Sequence, residues 1–274
     1  MIRKTGKRII VIFLCIAVFL WCLFPFYWTV ATSFKPRIYV YDPSKLFFSP
    51  SLEGYKAALN TGLLHRMGIS AIVAGITTIS SLFWGSLAAY AIARFRFPLR
   101  MPLLNAFIIA RYLPPISLVF PYYVMANLLG IFDTVWALIL AYHLLCVTFT
   151  VLMMSGFFKS VPRDLEEAAM IDGCGRLGAF IRITLPLVAG GLFATGVFVF
   201  LYTWNEFTYA LFLTAFRART WPTTLSRFIG IRGVEWGPMT ATASMAVFPV
   251  LVLALIFRRY IVQGLTFGIL EEGK

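Results

Sequence analysis

The sequence is poor in charge, in histidine and in cysteine, and each shortage removes a class of chemistry. Only 13% of its 274 residues are Asp, Glu, Lys or Arg, against 60% hydrophobic residues that include 27 phenylalanines. With a mean hydropathy of +0.85, it carries more apolar surface than a soluble domain of this length can hide. The two histidines, His65 and His143, stand apart with no second His or Cys at ligand spacing, so no metal site is expected. Of the four cysteines, Cys15, Cys22 and Cys146 fall in apolar runs and Cys174 in a charged segment, which implies no disulfide framework. No G-x-x-x-x-G-K-[ST] phosphate loop occurs, since "VAGG" and "GCGRLG" lack the following Lys and Ser/Thr, and the chain does not bind ATP by that route. Nor does a nucleophile with a nearby base, or a pair of carboxylates in one apolar run, offer a catalytic constellation.

What is abundant is long apolar sequence. Six runs, at 9–31, 69–93, 103–126, 135–158, 187–213 and 243–262, each reach the roughly 20 residues that an α-helix needs to cross a hydrocarbon core about 30 Å thick. The pattern predicts an all-α membrane protein with six transmembrane helices, organised as one domain over residues 1–274. The first run follows "RKTGKR" and is apolar from Ile9 to Ala31, well beyond a signal-peptide core of about 7 to 15 residues, so it is read as a permanent span. The net charge of +13 then reflects topology rather than a nucleic-acid partner. With the N-terminus inside, 14 lysines and arginines lie in cytoplasmic segments and nine in outer ones, which places both termini in the cytoplasm. Gly85, Ala89 and Ala93 recur every fourth residue in the second run, a small-residue face that allows another helix to approach closely.

Charges inside the runs are few. Among 11 acidic residues only Glu206 falls in a predicted span, near its outer end, which argues against a central proton relay. Arg111 lies about 12 Å into the third span, too far in depth to pair with Glu206, and precedes "YLPPI". Pro114 and Pro115 each remove a backbone donor there, so a broken helix is expected to face protein or water, with Arg111 bonded to freed carbonyls or lining a cavity.

The densest charge sits between the fourth and fifth runs. "SVPRDLEEAAMIDG", from Ser160, predicts a helix over about 162–173: Ser160 or a neighbour caps it, Pro162 suits a first turn, acids lie at its positive end, and Gly173 ends it. About ten residues of helix are marginal alone in water, so something must dock against it. Leu165, Ala168, Ala169 and Asp172 form one face, suited to a shallow cleft on another protein or to the membrane surface.

Glu167, Ala168, Ala169, Gly173, Ile183, Leu185 and Pro186 reproduce the E-A-A, three residues, G, nine residues, I-x-L-P pattern, and the segment 166–186 resembles the coupling region of the permease subunits of ABC importers. "SFKP", "AYAIARFRFP", "LPPISLVFPYY", "NLLGIFDT", "YTWNEFTYAL" and "QGLTFG" are similar to the carbohydrate-uptake, MalG-like branch. Cys174, where that family commonly has Ala, and Gln263, where a basic residue is often seen, depart from it.

The resemblance implies a type I ABC importer permease bundle in a bacterial or archaeal cytoplasmic membrane, with a coupling helix between spans four and five, continuous with the fifth. It implies a second homologous permease, two cytoplasmic ATPase subunits that bind ATP and Mg, an extracytoplasmic solute-binding protein and surrounding lipid as partners, and no cofactor in this chain. Glu166, Glu167, Ala168, Ala169, Asp172 and Gly173 are then the ATPase-coupling residues. Trp204, Asn205, Glu206 and Arg111 are candidates for the substrate path, because sugars stack on aromatic faces and bond to amide and charged groups. The C-terminal "ILEEGK" either touches the ATPases or is solvated. The alternatives are an importer of another solute, such as glycerol phosphate, and an ion-coupled secondary carrier that depends on Glu206.

Overall fold

The computed structural model describes the backbone of residues 2–231 and 233–270 and the side chains of 11–231 and 233–258. The side chains of "QGLTFG" and "ILEEGK" lie outside that range. The chain divides into two compact units, one built from the residues up to Leu64 with Thr224–Phe248, the other from His65–Thr223 with the residues from Pro249 onward.

In the first unit, α1 (Ile2–Ser33) is apolar on every side from Ile9 to Trp28, and its side chains from Val11 to Phe26 are exposed, as suits a helix surrounded by lipid. The chain leaves it through Lys35, which is 4% exposed. The Lys35 ammonium lies 5.1 Å from the Trp28 ring centre and 5.8 Å from that of Phe48, and donates to the Asp42 carbonyl at 3.0 Å. The short helix α2 (Glu53–Asn60) approaches Gly237 so closely that a Cβ on Gly54 would lie 2.8 Å from the Gly237 carbonyl oxygen. Strands β1 (Ile229–Gly230) and β2 (Gly233–Val234) form an antiparallel hairpin in which Gly233, paired with Gly230, adopts φ +108°, a backbone that glycine takes without strain.

In the second unit, α3 (Leu63–Arg94) and α6 (Val135–Ser160) are long and apolar. They meet at the predicted small-residue face: Ala89 and Ala93 are buried, and a Cβ on Gly85 would lie 2.6 Å from Thr150. Residues 103–126, expected as one span, are two helices, α4 (Arg100–Tyr112) and α5 (Pro115–Leu128), meeting at 99°. The cause is local, because Leu113 precedes a proline and is pushed to extended backbone (φ −65°, ψ 124°).

Residues 187–213 also depart from a single rod. After α7 (Arg163–Ile171), helix resumes at α8 (Arg176–Ala179), passes through a π-helical turn (Phe180–Thr184) into α9 (Leu185–Leu187), bends, and continues as α10 (Ala189–Trp204). The bend is 77°, at a point where Pro186 removes an N–H and Gly190 and Gly191 follow. Gly191 allows α10 to touch α6, since a Cβ there would fall 2.5 Å from the Phe157 ring. A separate short helix, α11 (Thr208–Leu213), follows α10. Among the described residues four helices are long and apolar enough to cross a membrane, or six if each bent pair is one span. The described residues close with α12 (Pro222–Leu225), the hairpin and α13 (Trp236–Leu270).

Candidate functional site

Helix α7 is a nine-residue helix that shows almost all of itself to solvent. Glu166 and Ala169, one turn apart, are its buried residues, while Leu165, Glu167, Ala168 and Asp172 are exposed and Ile171 is 87% exposed. Of the predicted face, Ala169 therefore turns inward and the other three outward. Among the described residues no side chain caps the N-terminus: Pro162 occupies the cap position, and the Ser160 hydroxyl donates back to the Phe157 carbonyl inside α6. The C-terminus is built as the sequence suggests. Gly173 adopts φ +90°, its N–H bonds the Met170 carbonyl at 3.1 Å, and the Cys174 N–H bonds that of Ala169 at 3.0 Å, a Schellman cap that satisfies the last carbonyls.

The buried acid anchors this helix. Glu166 is 6% exposed, and its two oxygens are held by three side chains from two other elements. Arg94 Nε donates to Oε1 at 2.7 Å, the Thr184 hydroxyl to the same oxygen at 2.7 Å, and the Tyr90 hydroxyl to Oε2 at 2.9 Å. Arg94 also donates through Nη2 to the Val161 carbonyl at 2.9 Å, in the link between α6 and α7. Tyr90 and Arg94 are four residues apart near the end of α3, so both reach the same point. Around them Phe158 and Phe180 pack on the Tyr90 ring, with centroids 5.7 Å and 4.6 Å away, and Arg176 stands 5.3 Å over Phe95.

The four substrate-path candidates are not brought together. Arg111 lines a cavity of about 320 Å³ with Leu145, Cys146, Phe149, Phe198 and Tyr202. Cys146 and Phe149 lie near the midpoint of the 26-residue α6, which sets the guanidinium at mid-depth in that helix. It does not bond freed carbonyls; it stands 5.2 Å over the Phe149 ring and makes no hydrogen bond or ion pair among the described residues. Trp204 is 2% exposed, stacked on Phe200, and its carbonyl accepts from Trp221 Nε1 at 2.8 Å. Asn205 is exposed and donates to the Leu201 carbonyl. The Glu206 carboxylate accepts from the N–H groups of Tyr209 at 3.0 Å and Ala210 at 3.3 Å, and so caps α11. Phe198 and Tyr202 were missed as candidates, although their four-residue spacing on α10 puts them on one face.

A second acid pins a loop. Asp133, at φ 57°, accepts N–H bonds from Ala215 (2.8 Å), Phe216 (3.0 Å), Arg217 (3.0 Å) and Ala218 (3.2 Å), while its own N–H donates to Leu213. Partial burial alone would push this carboxyl up, but the four backbone donors outweigh it and hold it below the usual carboxylate range.

The family model described as "Binding-protein-dependent transport system inner membrane component" matches residues 81–267. The chain is 37% identical over 268 residues to the probable ABC transporter permease protein y4oR of Sinorhizobium fredii, covering 97% of this chain and 96% of that one. It is 36% identical over 275 residues to the trehalose/maltose transport system permease protein MalG of Thermococcus litoralis, covering 98% and 99%. In fold it is similar to a chain of a crystallised bacterial ABC transporter involved in the import of the acidic polysaccharide alginate, with a TM-score of 0.77 at 18% identity and coverage of 94% and 96%.

Proposed function

The chain belongs to the family of binding-protein-dependent transport system inner membrane components, and on that premise we propose that it is a permease subunit of an ATP-driven sugar importer. The solute class follows relatives named for trehalose and maltose transport. In this reading each bent pair of helices is one of six spans, both termini are cytoplasmic, and the 274 residues act as one permease domain. A second, homologous permease completes the path, an extracytoplasmic binding protein delivers the solute, and two ATPase subunits bind ATP and Mg beneath.

The exposed face of α7 is the observation that carries the coupling role. A nine-residue helix is marginal by itself, yet this one presents Leu165, Ala168 and Ile171 outward while Glu166 fixes its back. We assign that face, with Glu167 and Asp172, to a cleft of an ATPase subunit, and Gly173 to the turn that ends it. The solute path runs by the Arg111 cavity, where Phe149, Phe198 and Tyr202 offer ring faces for sugar stacking.

The test is uptake of a labelled neutral disaccharide into vesicles holding the complete complex. ATP-dependent uptake that is lost in Ala168→Arg while the subunits still insert supports the assignment. Uptake that proceeds without ATP and vanishes in Glu206→Gln refutes it and favours an ion-coupled carrier.

One observation favours a second solute class. An arginine at mid-depth with no acidic partner among the described residues suits a solute bearing phosphate or carboxylate, such as glycerol phosphate. Uptake of the anionic solute that falls in Arg111→Gln, without uptake of the neutral sugar, selects this reading.

A further inference from the structure

We propose that Glu166 is a positioning residue that joins α7, the end of α3 and the turn leading into α10 into one moving body. The proposal rests on the reading of α7 as the coupling helix. Glu166 belongs to the stretch expected to meet the ATPase, but its geometry assigns it a different task. Both carboxylate oxygens are already occupied from within the chain, Oε1 by Arg94 and Thr184 and Oε2 by Tyr90. The Arg94 and Glu166 side chains are 7% and 8% exposed, so neither presents its charge to a partner. Its neighbour Glu167 is exposed and, like Asp172, remains an acid that a partner cleft can reach.

The three donors come from places that must move together if α7 is to drive the membrane helices. Tyr90 and Arg94 are the last turn of α3, and Thr184 closes the π-helical turn between α8 and α9. Through its second nitrogen Arg94 also grips Val161, in the link from α6. A π-turn is a rare feature that recurs at functional positions, and here it carries the Thr184 hydroxyl that reaches the acid from the α10 side. A carboxylate and a guanidinium buried this deeply strongly resist separation, because breaking the contact leaves an unpaired charge out of water. The cluster therefore stays closed while the elements around it shift as packed units. A displacement of α7 reaches α3 directly through Glu166 and reaches α10 through Thr184.

The experiment measures two quantities on the complete complex in lipid vesicles: ATP hydrolysed and labelled disaccharide imported. Glu166→Gln keeps the size of the side chain and Tyr90→Phe keeps the ring, so both variants retain the packing around Phe158 and Phe180. If Glu166 positions α7, Glu166→Gln assembles and hydrolyses ATP but imports at least about tenfold less solute per ATP, within the range of ordinary coupling energies. Tyr90→Phe shows a smaller loss in the same ratio, and Glu166→Asp recovers part of it. Import per ATP equal to wild type in Glu166→Gln overturns the proposal. So does a parallel loss of import and hydrolysis, which marks a purely structural residue. If the wild-type complex imports nothing in an ATP-dependent way, the importer reading itself fails, an outcome distinct from either of these.

Discussion

Replacing Asp133 with asparagine exchanges one carboxylate oxygen of a loop anchor for an NH₂ group and leaves the backbone conformation accessible. Asp133 stands at φ 57°, a conformation asparagine also tolerates, so the substitution isolates the carboxylate. In the wild type, Oδ1 accepts from Ala215, Arg217 and Ala218, and Oδ2 from Phe216 and Arg217. The amide retains one acceptor oxygen and turns an NH₂ group toward the Phe216 N–H, which then faces a donor instead of an acceptor. A hydrogen bond to a charged group contributes about 1.5–3 kcal/mol, and with Phe216 and Arg217 themselves exposed the expected loss is about 2–3 kcal/mol. That energy corresponds to about 30- to 150-fold more frequent opening of residues 215–218, since about 1.4 kcal/mol is tenfold.

Amide hydrogen exchange across residues 215–218, on protein held in a lipid nanodisc, reads this number. Trypsin cleavage after Arg217 and Arg219 gives an independent measure of the same opening. The pH dependence has a definite sign: the folded carboxyl is depressed below its ordinary value of 3.8, so the anchor is fully present above that value and is lost as pH falls through the lower, folded one. Wild-type protection, corrected for intrinsic exchange, is therefore flat from neutral pH down to about 5. Equal protection in the wild type and Asp133→Asn would refute the reasoning, as would a loss spread evenly over distant amides.

Two further substitutions follow from close contacts. Gly191→Ala forces a methyl group to within 2.5 Å of the Phe157 ring, and overpacking of this kind costs about 1–3 kcal/mol, to be seen as a lower thermal midpoint in detergent; an unchanged midpoint would show that the α6–α10 contact yields freely. Lys35→Met keeps the stem but removes the charge between Trp28 and Phe48 and the bond to the Asp42 carbonyl. The expected loss of about 1–2 kcal/mol would appear as faster exchange over residues 36–42, and unaltered exchange there would mean that the rings hold the loop by apolar packing alone.

Much of this architecture was legible along the chain, and the illegible parts share a cause. Apolar length located the long apolar helices, and the double proline after Arg111 marked a break, because both signals are local. The end of α7 was equally readable, since only glycine adopts a φ of +90° there without strain. The bend angles were not: the same proline permits a small kink or a 99° turn, and packing with distant segments decides. The inward turn of Glu166 was hidden for a similar reason. A charge on a short helix reads as an outward group, and its partner Arg94 lies 72 residues earlier in the chain. Asp133 was concealed by the same distance, as its acceptors' donors follow 82 to 85 positions later.

The bend at Val188 changes what a push on the charged segment can accomplish. Had the helix run straight into α10, an axial displacement would have arrived as an equal axial slide. With an elbow of 77°, thrust along α8 and α9 arrives almost crosswise at the near end of α10 and becomes torque. The arm that it turns is 16 residues long, about 24 Å at 1.5 Å per residue. A swing of about 10° carries the far tip, near Trp204, through about 4 Å on that arm. The broken helix thus has the geometry of a lever, in which a small stroke at one end would become a lateral sweep at the other.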